Sequence, residues 1–258
     1  MTFFKYHGTG NDFVMVDDRA RTFPVSDQAL VARLCHRHFG IGADGLILLQ
    51  TDPDGTLRMV YFNADGAEGS LCGNGGRCFV RFAHDLGLIG GLVRFVAVDG
   101  EHEAQVLGND IQLRMGDVAG LEQRVAFSFV DTGSPHVVQF GEDVEGLDVV
   151  ASGRPLRYSD TFSPGGTNVN FAQLLPDQTL FVRTYERGVE DETYSCGTGV
   201  TAAALVVHRQ LGLPSPVAIR TLGGALRVAF DARPDGSFVN ICLTGPAERV
   251  FEGKITVY

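Results

Sequence analysis

The chain has 258 residues, of which 44% are hydrophobic and 20% charged, a composition typical of a folded globular protein rather than a disordered or fibrous one. Its 21 Lys and Arg residues against 31 Asp and Glu residues give a formal net charge of −10 at pH 7. This charge repels nucleic-acid phosphates and anionic lipids, and no basic patch compensates it. No apolar run approaches the ~20 residues that cross a bilayer, and Met1–Gly10 lacks a signal-peptide core. We therefore expect a cytoplasmic protein without nucleic-acid or membrane partners.

The chain contains five cysteines, an odd number at low density that predicts free thiols in a reducing compartment. No pair of them has the two-to-four-residue separation of a zinc knuckle, so we predict no metal site. The cysteines are Cys35, Cys72, Cys78, Cys196 and Cys242.

The first predicted elements are a helix over Gln28–His38 and a strand over Leu46–Leu49. Between them, Gly40–Gly45 matches the G-x-G-x-x-G pattern of dinucleotide-binding sites. In such a site the pattern follows a strand and opens a helix, whereas here it follows a helix and precedes a strand. The pattern therefore does not predict a dinucleotide cofactor.

Each half of the chain contains one strongly marked helix that begins just after a cysteine. After Cys72, apolar residues recur with helical spacing and stop at Gly87; after Cys196, an almost wholly apolar segment stops at Gly212. A helix that is apolar on nearly all sides is expected to be buried.

Short alternating or β-branched segments surround both helices, and many short strands around few helices predict an α+β fold. The predicted strands are, in chain order, Leu57–Phe62, Leu92–Val98, Ile111–Met115, Val125–Val130, His136–Phe140, Leu180–Tyr185, Ala225–Phe230 and Phe238–Leu243.

The two cysteine loops belong to a repeated pattern. A polar loop, Phe62–Gly66 or Tyr185–Gly188, precedes each cysteine at a similar distance. Because Cys72 and Cys196 are nearly half the chain apart, we predict two pseudo-symmetric domains that arose by duplication. A short Gly/Asp segment at Gly116–Gly120 marks the predicted boundary.

A cysteine at a helix start lies beside unpaired backbone N–H groups and the positive end of the helix dipole, which stabilise its thiolate and suit it to act as a general base. The glycines beside both cysteines allow the same amides to approach an anion such as a carboxylate. Two thiols facing one carbon would not both ionise, because like charges repel. One could then remove a proton from one face while the other returns a proton to the opposite face, which predicts a racemase or epimerase.

Further motifs follow one another along the chain, namely Lys5–Phe13, Phe62–Gly66, Cys72–Cys78, Gly133–His136, Gly166–Val169, Glu186–Gly188, Cys196–Gly199 and Gly245–Ala247. With these motifs the chain resembles the diaminopimelate epimerases, which are pyridoxal-independent amino-acid epimerases of lysine and peptidoglycan biosynthesis. The resemblance covers most of the chain. It implies a small diamino dicarboxylate substrate.

The resemblance also implies residue roles. Cys196 takes the α-proton of an LL substrate and Cys72 returns a proton to give the meso form, with the roles exchanged in reverse. His136 and Glu186 are expected near the thiols, tuning them. The implied substrate-binding residues are Gly73, Asn74, Gly197 and Thr198 at the α-carboxylate, Asn11, Asn63, Asn168 and Arg187 at the distal amino-acid end, and Glu186.

The same resemblance implies an architecture in which each domain is a mixed, mostly antiparallel, barrel-like sheet wrapped around a central helix, with the active site in the cleft between the domains. We place the first domain at residues 1–117, joined by a last strand at about 249–258, and the second at 118–248. A homodimer is expected. A pyridoxal enzyme needs a Schiff-base lysine, and because the chain has only Lys5 and Lys254, near its ends, we predict no cofactor.

Three features depart from the family's common pattern. Ser134 stands where many members have asparagine, and Gly45 stands where a glutamine often contacts the substrate. The stretch from Glu186 to Cys196 is one residue longer than usual. These departures concern substrate contacts and leave the cysteine pair unaffected.

Three alternatives remain open from the sequence. The chain could be a related epimerase of the proline racemase type, for which a distal zwitterion-binding set would be superfluous. It could be a thiol redox protein that uses Cys72 and Cys196, or a non-catalytic amino-acid-binding module. Solvent proton exchange at the substrate α-carbon distinguishes them.

Overall fold

The computed structural model describes residues 1–256, so the last two residues of the predicted strand at 249–258 lie outside the described part. Four helices occur there: α1 (Gln28–Cys35), α2 (Gly73–Asp85), α3 (Val149–Arg157) and α4 (Gly197–Leu211). The strands are β1 (Thr2–Gly8), β2 (Asn11–Asp17), β3 (Gly45–Thr51), β4 (Leu57–Asn63), β5 (Leu92–Ala97), β6 (Gly100–Leu107), β7 (Asp110–Arg114), β8 (Glu122–Gln123), β9 (Ser128–Asp131), β10 (Pro135–Phe140), β11 (Asn168–Leu174), β12 (Leu180–Glu186), β13 (Asp191–Thr193), β14 (Val217–Thr221), β15 (Gly224–Ala232), β16 (Phe238–Pro246) and β17 (Glu248–Lys254).

The chain divides into two compact units. The first contains Met1–Leu113 and the C-terminal residues from Gly245 onward, and the second contains Arg114–Thr244. In the first unit β17 pairs antiparallel with β1, with Thr2 opposite Lys254.

Both units have the same strand order and the same strand directions. The first runs β17-β1-β2-β3-β4-β5-β6-β7, and the second runs β8-β9-β10-β11-β12-β14-β15-β16. In each order the third and fifth neighbouring pairs are parallel, and the other pairs are antiparallel. The parallel pairs are β2–β3 and β4–β5 in the first unit and β10–β11 and β12–β14 in the second. A parallel pair needs a crossover connection, and each of the four parallel pairs contains one helix in its crossover. This identical topology supports the predicted duplication and confirms the α+β class.

The sheet of each unit wraps around the helix that follows its cysteine. Helix α2 packs against β1, β2, β3, β4, β6 and β17, and α4 packs against β9, β10, β11, β12, β14 and β15. Every residue from Gly199 to Val207 is buried, as expected for a helix that is apolar nearly all round. Each of these two helices thus packs against six strands of its own unit.

Most predicted elements are confirmed within one or two residues at their ends, and the corrections have local causes. The predicted strand Val125–Val130 is interrupted, since the Arg124 N–H donates to the Phe127 carbonyl at 2.9 Å and closes a turn, so that only the part from Ser128 onward is strand. Helix α3 was not among the predicted elements; the Asp148 side chain caps its start by accepting from the Ala151 N–H, and Pro155 lies close to its C-terminal end. The predicted strands do not include β1, β2, β6, β8, β11, β13 and β14, although β2 contains a buried apolar run at Phe13–Val16.

The first predicted helix ends three residues early, at Cys35, because the chain folds back over the helix end. The backbone N–H groups of Ile41 and Gly42 both donate to the Leu34 carbonyl, at 2.8 and 3.1 Å. A Cβ atom on Gly40 would lie 2.0 Å from the Arg33 carbonyl oxygen. The G-x-G-x-x-G pattern therefore closes a helix C-terminus. None of the helices in residues 1–256 combines the length and apolar character of a membrane-spanning segment.

Candidate active site

Cys72 and Cys196 each occupy the residue immediately before a helix. Both have extended backbone dihedrals there, with φ −91° and ψ 126° at Cys72 and φ −113° and ψ 115° at Cys196. Their carbonyl groups accept the first intrahelical bonds, from Gly76 at 2.7 Å and Val200 at 2.9 Å. The prediction that each cysteine begins a helix is confirmed. Each sulfur is therefore attached where helix-start amides and the positive dipole end favour an anion.

Asn11 presents an acceptor to the Cys72 thiol. The Cys72 Sγ atom donates to Asn11 Oδ1 at 3.5 Å, and Asn74 Nδ2 donates to the same oxygen at 3.3 Å. The other end of the Asn11 amide donates from Nδ2 to Asp44 Oδ2 at 2.7 Å. Because a carboxylate only accepts, Asp44 fixes the direction of the Asn11 amide. Within the first unit, this contact favours the protonated form of Cys72.

A charge cluster holds Asp44 in place behind Asn11. The Arg37 Nη2 atom contacts Asp12 at 2.9 Å and Asp44 at 2.7 Å, and Lys5 Nζ lies 2.7 Å from Asp12. Burial acts to raise the pKa of Asp12, but hydrogen bonds from Arg37 and Lys5 outweigh it and lower that pKa to about 2. Asp12 therefore stays ionised at physiological pH, and Arg37, which contacts both carboxylates, holds Asp44 against the Asn11 amide.

Arg77 is a fully buried cation beside the start of α2. Its guanidinium donates to Asn74 Oδ1 at 3.0 Å, to Thr9 Oγ1 at 3.2 Å and to the Gly73 carbonyl at 3.3 Å. No ion pair of residues 1–256 includes it. Burial lowers its pKa, although a guanidinium remains charged in proteins. A buried cation without a permanent carboxylate partner stabilises negative charge that arrives at this helix start.

In the second unit, a hydroxyl and an imidazole lie behind Cys196. The Cys196 Sγ atom is 3.5 Å from Thr198 Oγ1, which lies 2.9 Å from His136 Nε2. His136 is buried, and burial, assisted by the positive charge of Arg187, lowers its pKa to about 3. The ring is therefore neutral at physiological pH. His136 reaches the sulfur through one hydroxyl group and not as a cation.

Asn168 and Arg187 are connected through the backbone. Asn168 is buried, its Oδ1 accepts the Arg187 N–H at 2.9 Å, and its Nδ2 donates to the Pro135 carbonyl at 3.0 Å. This amide thus connects the backbone of Arg187, just after β12, to the first residue of β10. The preceding residue, Glu186, accepts from the Thr193 hydroxyl at 2.7 Å. A direct substrate contact by Asn168 stays a prediction.

Tyr61 fills the space left by the glycine at position 45. A Cβ atom on Gly45 would lie 2.6 Å from Tyr61 Cε2, and one on Gly69 would lie 2.7 Å from Tyr61 Cε1, so the ring lies between the two glycines. Its hydroxyl donates to Asn63 Oδ1 at 2.9 Å. The amide of the exposed Asn63 is thereby oriented, with its NH₂ group directed away from the tyrosine.

We expect Tyr61→Phe to raise KM for the substrate about two- to tenfold with little change in kcat, since it removes one partly exposed hydrogen bond that orients Asn63. Steady-state kinetics checks this, with Tyr194→Phe, an exposed tyrosine, as the matched control. A lower kcat at unchanged KM would contradict the orienting role.

The longer stretch before Cys196 is anchored by Glu190. Its Oε1 accepts from Arg157 Nη2 at 2.8 Å and from the Gly188 N–H at 3.0 Å, and its Oε2 accepts from the Tyr158 hydroxyl at 2.8 Å. Glu190 has φ 61°, a left-handed conformation unusual for a non-glycine residue. The extra length therefore forms a tight hairpin turn held against α3.

We expect Glu190→Gln to destabilise the protein by about 1 kcal/mol at neutral pH, a small value because the ion pair is partly solvated. Burial opposes ionisation, but the Gly188 N–H, Arg157 and Tyr158 lower the pKa of Glu190 to about 2 from 4.5. Stability that rests on a lowered carboxyl pKa is present above the unfolded-state value and is lost as pH falls through the folded-state value. The difference between variant and wild type should therefore shrink below about pH 4.5 in urea unfolding. The control is Glu101→Gln, which changes an exposed carboxylate on β6 and should alter the free energy of unfolding at neutral pH by less than about 0.5 kcal/mol.

Several residues of this site were not among the predicted ones. Arg77 lies inside the Cys72–Cys78 motif, and Asp44 lies inside the G-x-G-x-x-G pattern at Gly40–Gly45. Asn170 is two residues after Asn168 on β11, and strand alternation places both on one face. The alternation along β11 is the sequence signal that could have identified Asn170. Local sequence could not identify Arg77 and Asp44 in this way, because their partners come from distant parts of the chain.

Comparison with known proteins identifies the family. The family model for diaminopimelate epimerase matches residues 3–120 and 128–250. This chain belongs to the diaminopimelate epimerase family. The diaminopimelate epimerase of Flavobacterium psychrophilum is 46% identical over 99% of this chain and 100% of its own. That of Aquifex aeolicus is 39% identical, over 99% of this chain and 98% of its own. Membership confirms the predicted resemblance and an enzyme of the epimerase class.

Among solved structures, a phenazine biosynthesis protein of the PhzF family from Bacillus anthracis superposes with a TM-score of 0.79. It covers 100% of this chain and 99% of its own, at 15% sequence identity. At this identity the likeness shows that the fold is shared and carries no information on the reaction.

Proposed function

We propose that this epimerase interconverts LL- and meso-2,6-diaminopimelate in the cytoplasm, without a cofactor, by proton transfer at the α-carbon. The observation that carries the proposal is the repeated position of the two cysteines, each immediately before the central helix of a unit with the same topology. We assign the two halves of the enzyme to the two compact units, Met1–Leu113 with the residues from Gly245 onward and Arg114–Thr244, each of which supplies one of the two cysteines.

In the forward direction, the Cys196 thiolate takes the α-proton and becomes a thiol, and the carbon–hydrogen electron pair stays on the substrate as a carbanion. The Cys72 thiol then gives its proton to the opposite face and becomes a thiolate. The reverse reaction exchanges the two roles. Proton transfer of this kind contributes about 10²–10⁴-fold to the rate.

The substrate carboxylate would be held by backbone amides of Gly73 and Asn74 and of Gly197 and Thr198, at the two helix starts. The buried charge of Arg77 supports this assignment, because it stabilises an anion near the start of α2. The distal amino-acid end would be recognised by three carboxamides and one cation, namely Asn11, Asn63, Asn168 and Arg187, and Glu186 would also contact the substrate. Of these, Asn63 is exposed, Asn11, Glu186 and Arg187 are half-buried, and Asn168 is buried.

The test is incubation of reduced enzyme with LL-diaminopimelate in D₂O. We expect deuterium at the α-carbon and appearance of the meso isomer, measured by NMR and chiral chromatography. Exchange on L-proline or trans-4-hydroxy-L-proline in place of diaminopimelate would assign the chain to the other epimerase type. Affinity without exchange would indicate a binding module, and turnover only with a thiol reductant would indicate a redox protein.

A further inference from the structure

Asn170 is fully buried on β11, and the direction of its amide is determined by its partners. Its Nδ2 donates to the Val137 carbonyl at 2.9 Å, and its Oδ1 accepts from the Thr184 hydroxyl at 2.9 Å. A backbone carbonyl can only accept, so the NH₂ group must face Val137. The opposite orientation of the amide would place two acceptors together.

The same NH₂ group determines which nitrogen of His136 carries the proton. Asn170 Nδ2 lies 3.1 Å from His136 Nδ1, so its second hydrogen makes Nδ1 the acceptor. A neutral imidazole has one proton, which must then be on Nε2. Burial keeps the ring neutral by lowering the pKa of His136 to about 3.

The protonated Nε2 in turn directs the Thr198 hydroxyl. At 2.9 Å, Nε2–H donates to Thr198 Oγ1, so the hydroxyl hydrogen does not point back to the imidazole. The Cys196 sulfur lies 3.5 Å from this oxygen and can receive that hydrogen. Every donor in the series from Asn170 through His136 and Thr198 thus points toward the sulfur.

We propose that Asn170 is a positioning residue that fixes the Nε2–H tautomer of His136 and so directs the Thr198 hydroxyl to donate to the Cys196 thiolate. The proposal rests on the proposed function, in which Cys196 is the base that takes the α-proton. At Cys72 the direction is opposite, since Asn11 Oδ1 accepts from the thiol. Donation stabilises a thiolate and acceptance stabilises a thiol, so these two contacts favour the thiolate at Cys196 and the thiol at Cys72.

The first test is ¹⁵N NMR of the full-length protein labelled at its 7 histidines, with His136 assigned by comparison with His136→Gln. We expect Nε2 protonated and Nδ1 unprotonated at neutral pH. Asn170→Asp should move the proton to Nδ1 or create an imidazolium, because a carboxylate can only accept. An Nδ1–H tautomer or an imidazolium in the wild type would overturn the proposal.

The second test uses Thr198→Val and Thr198→Ser, which leave Asn170 and His136 unchanged and differ in the hydroxyl. We expect the rate of Cys196 alkylation by iodoacetamide, followed by peptide mapping, to fall about ten- to a hundredfold in the valine variant, the effect of one hydrogen bond to a charged group. The serine variant should react within about twofold of wild type. Equal rates in the two variants would overturn the proposal. If deuterium exchange fails while the tautomer and the alkylation rates are as expected, the proposed function is rejected and the positioning role of Asn170 is retained.

Discussion

We expect Cys72→Ser and Cys196→Ser each to lower kcat for epimerisation by about 10²–10⁴-fold, because a serine hydroxyl is a far weaker acid than a thiol and cannot replace it as the proton carrier. The two variants should differ in which isomer still exchanges its α-proton. Cys72→Ser keeps the base that acts on the LL isomer, and Cys196→Ser keeps the base that acts on the meso isomer. Each should therefore show residual exchange with solvent, without inversion, on its own isomer.

The other cysteines supply the controls. Burial raises the pKa of Cys35 to about 12 and also raises that of Cys78, so neither thiol can serve as a base. Cys242→Ser changes a half-buried thiol on β16 and should leave kcat within about twofold of wild type. The test is to measure, for every cysteine variant, kcat in both directions and deuterium exchange on each isomer. A Cys72 or Cys196 variant that retained a tenth or more of wild-type turnover would contradict the two-thiol mechanism.

The second large effect is expected at Gly199, where an alanine should destabilise the protein by about 2 to 4 kcal/mol. Inside a helix, replacing glycine with alanine normally stabilises by ~1 kcal/mol. Here the new Cβ atom would lie 2.3 Å from Asn170 Oδ1. That oxygen belongs to a fully buried amide held at both ends, so it cannot move without breaking hydrogen bonds to Thr184, Val137 or His136.

Gly75 is the matched control, since it occupies the same place relative to Cys72 as Gly199 does relative to Cys196. A Cβ atom on Gly75 would meet the ends of two flexible side chains, Ile47 Cδ1 at 3.2 Å and Met59 Cε at 3.4 Å. We expect Gly75→Ala to change the free energy of unfolding by less than about 1 kcal/mol. Urea unfolding of both variants checks the comparison. A Gly199→Ala protein as stable as Gly75→Ala would show that Asn170 is less firmly held than its contacts indicate.

The sequence by itself determined the parts that depend on local patterns. Apolar spacing and terminal glycines predicted the helices after Cys72 and Cys196, and Gly212 indeed ends α4 with φ 71°. The matching Cys-Gly-x-Gly starts predicted the duplication and the position of each thiol, because helix initiation is a property of neighbouring residues.

Only the tertiary structure decided which groups face the sulfurs. The resemblance implies a substrate-binding role for Asn11 and none for Asn170, because the sequence around an asparagine does not show which groups its amide contacts. The structure brings Asp44 to Asn11 and Asn170 to His136 across neighbouring strands. Hydrogen-bond direction is set by these contacts between distant segments, because an amide or an imidazole can point either way until a partner with a single possible role fixes it.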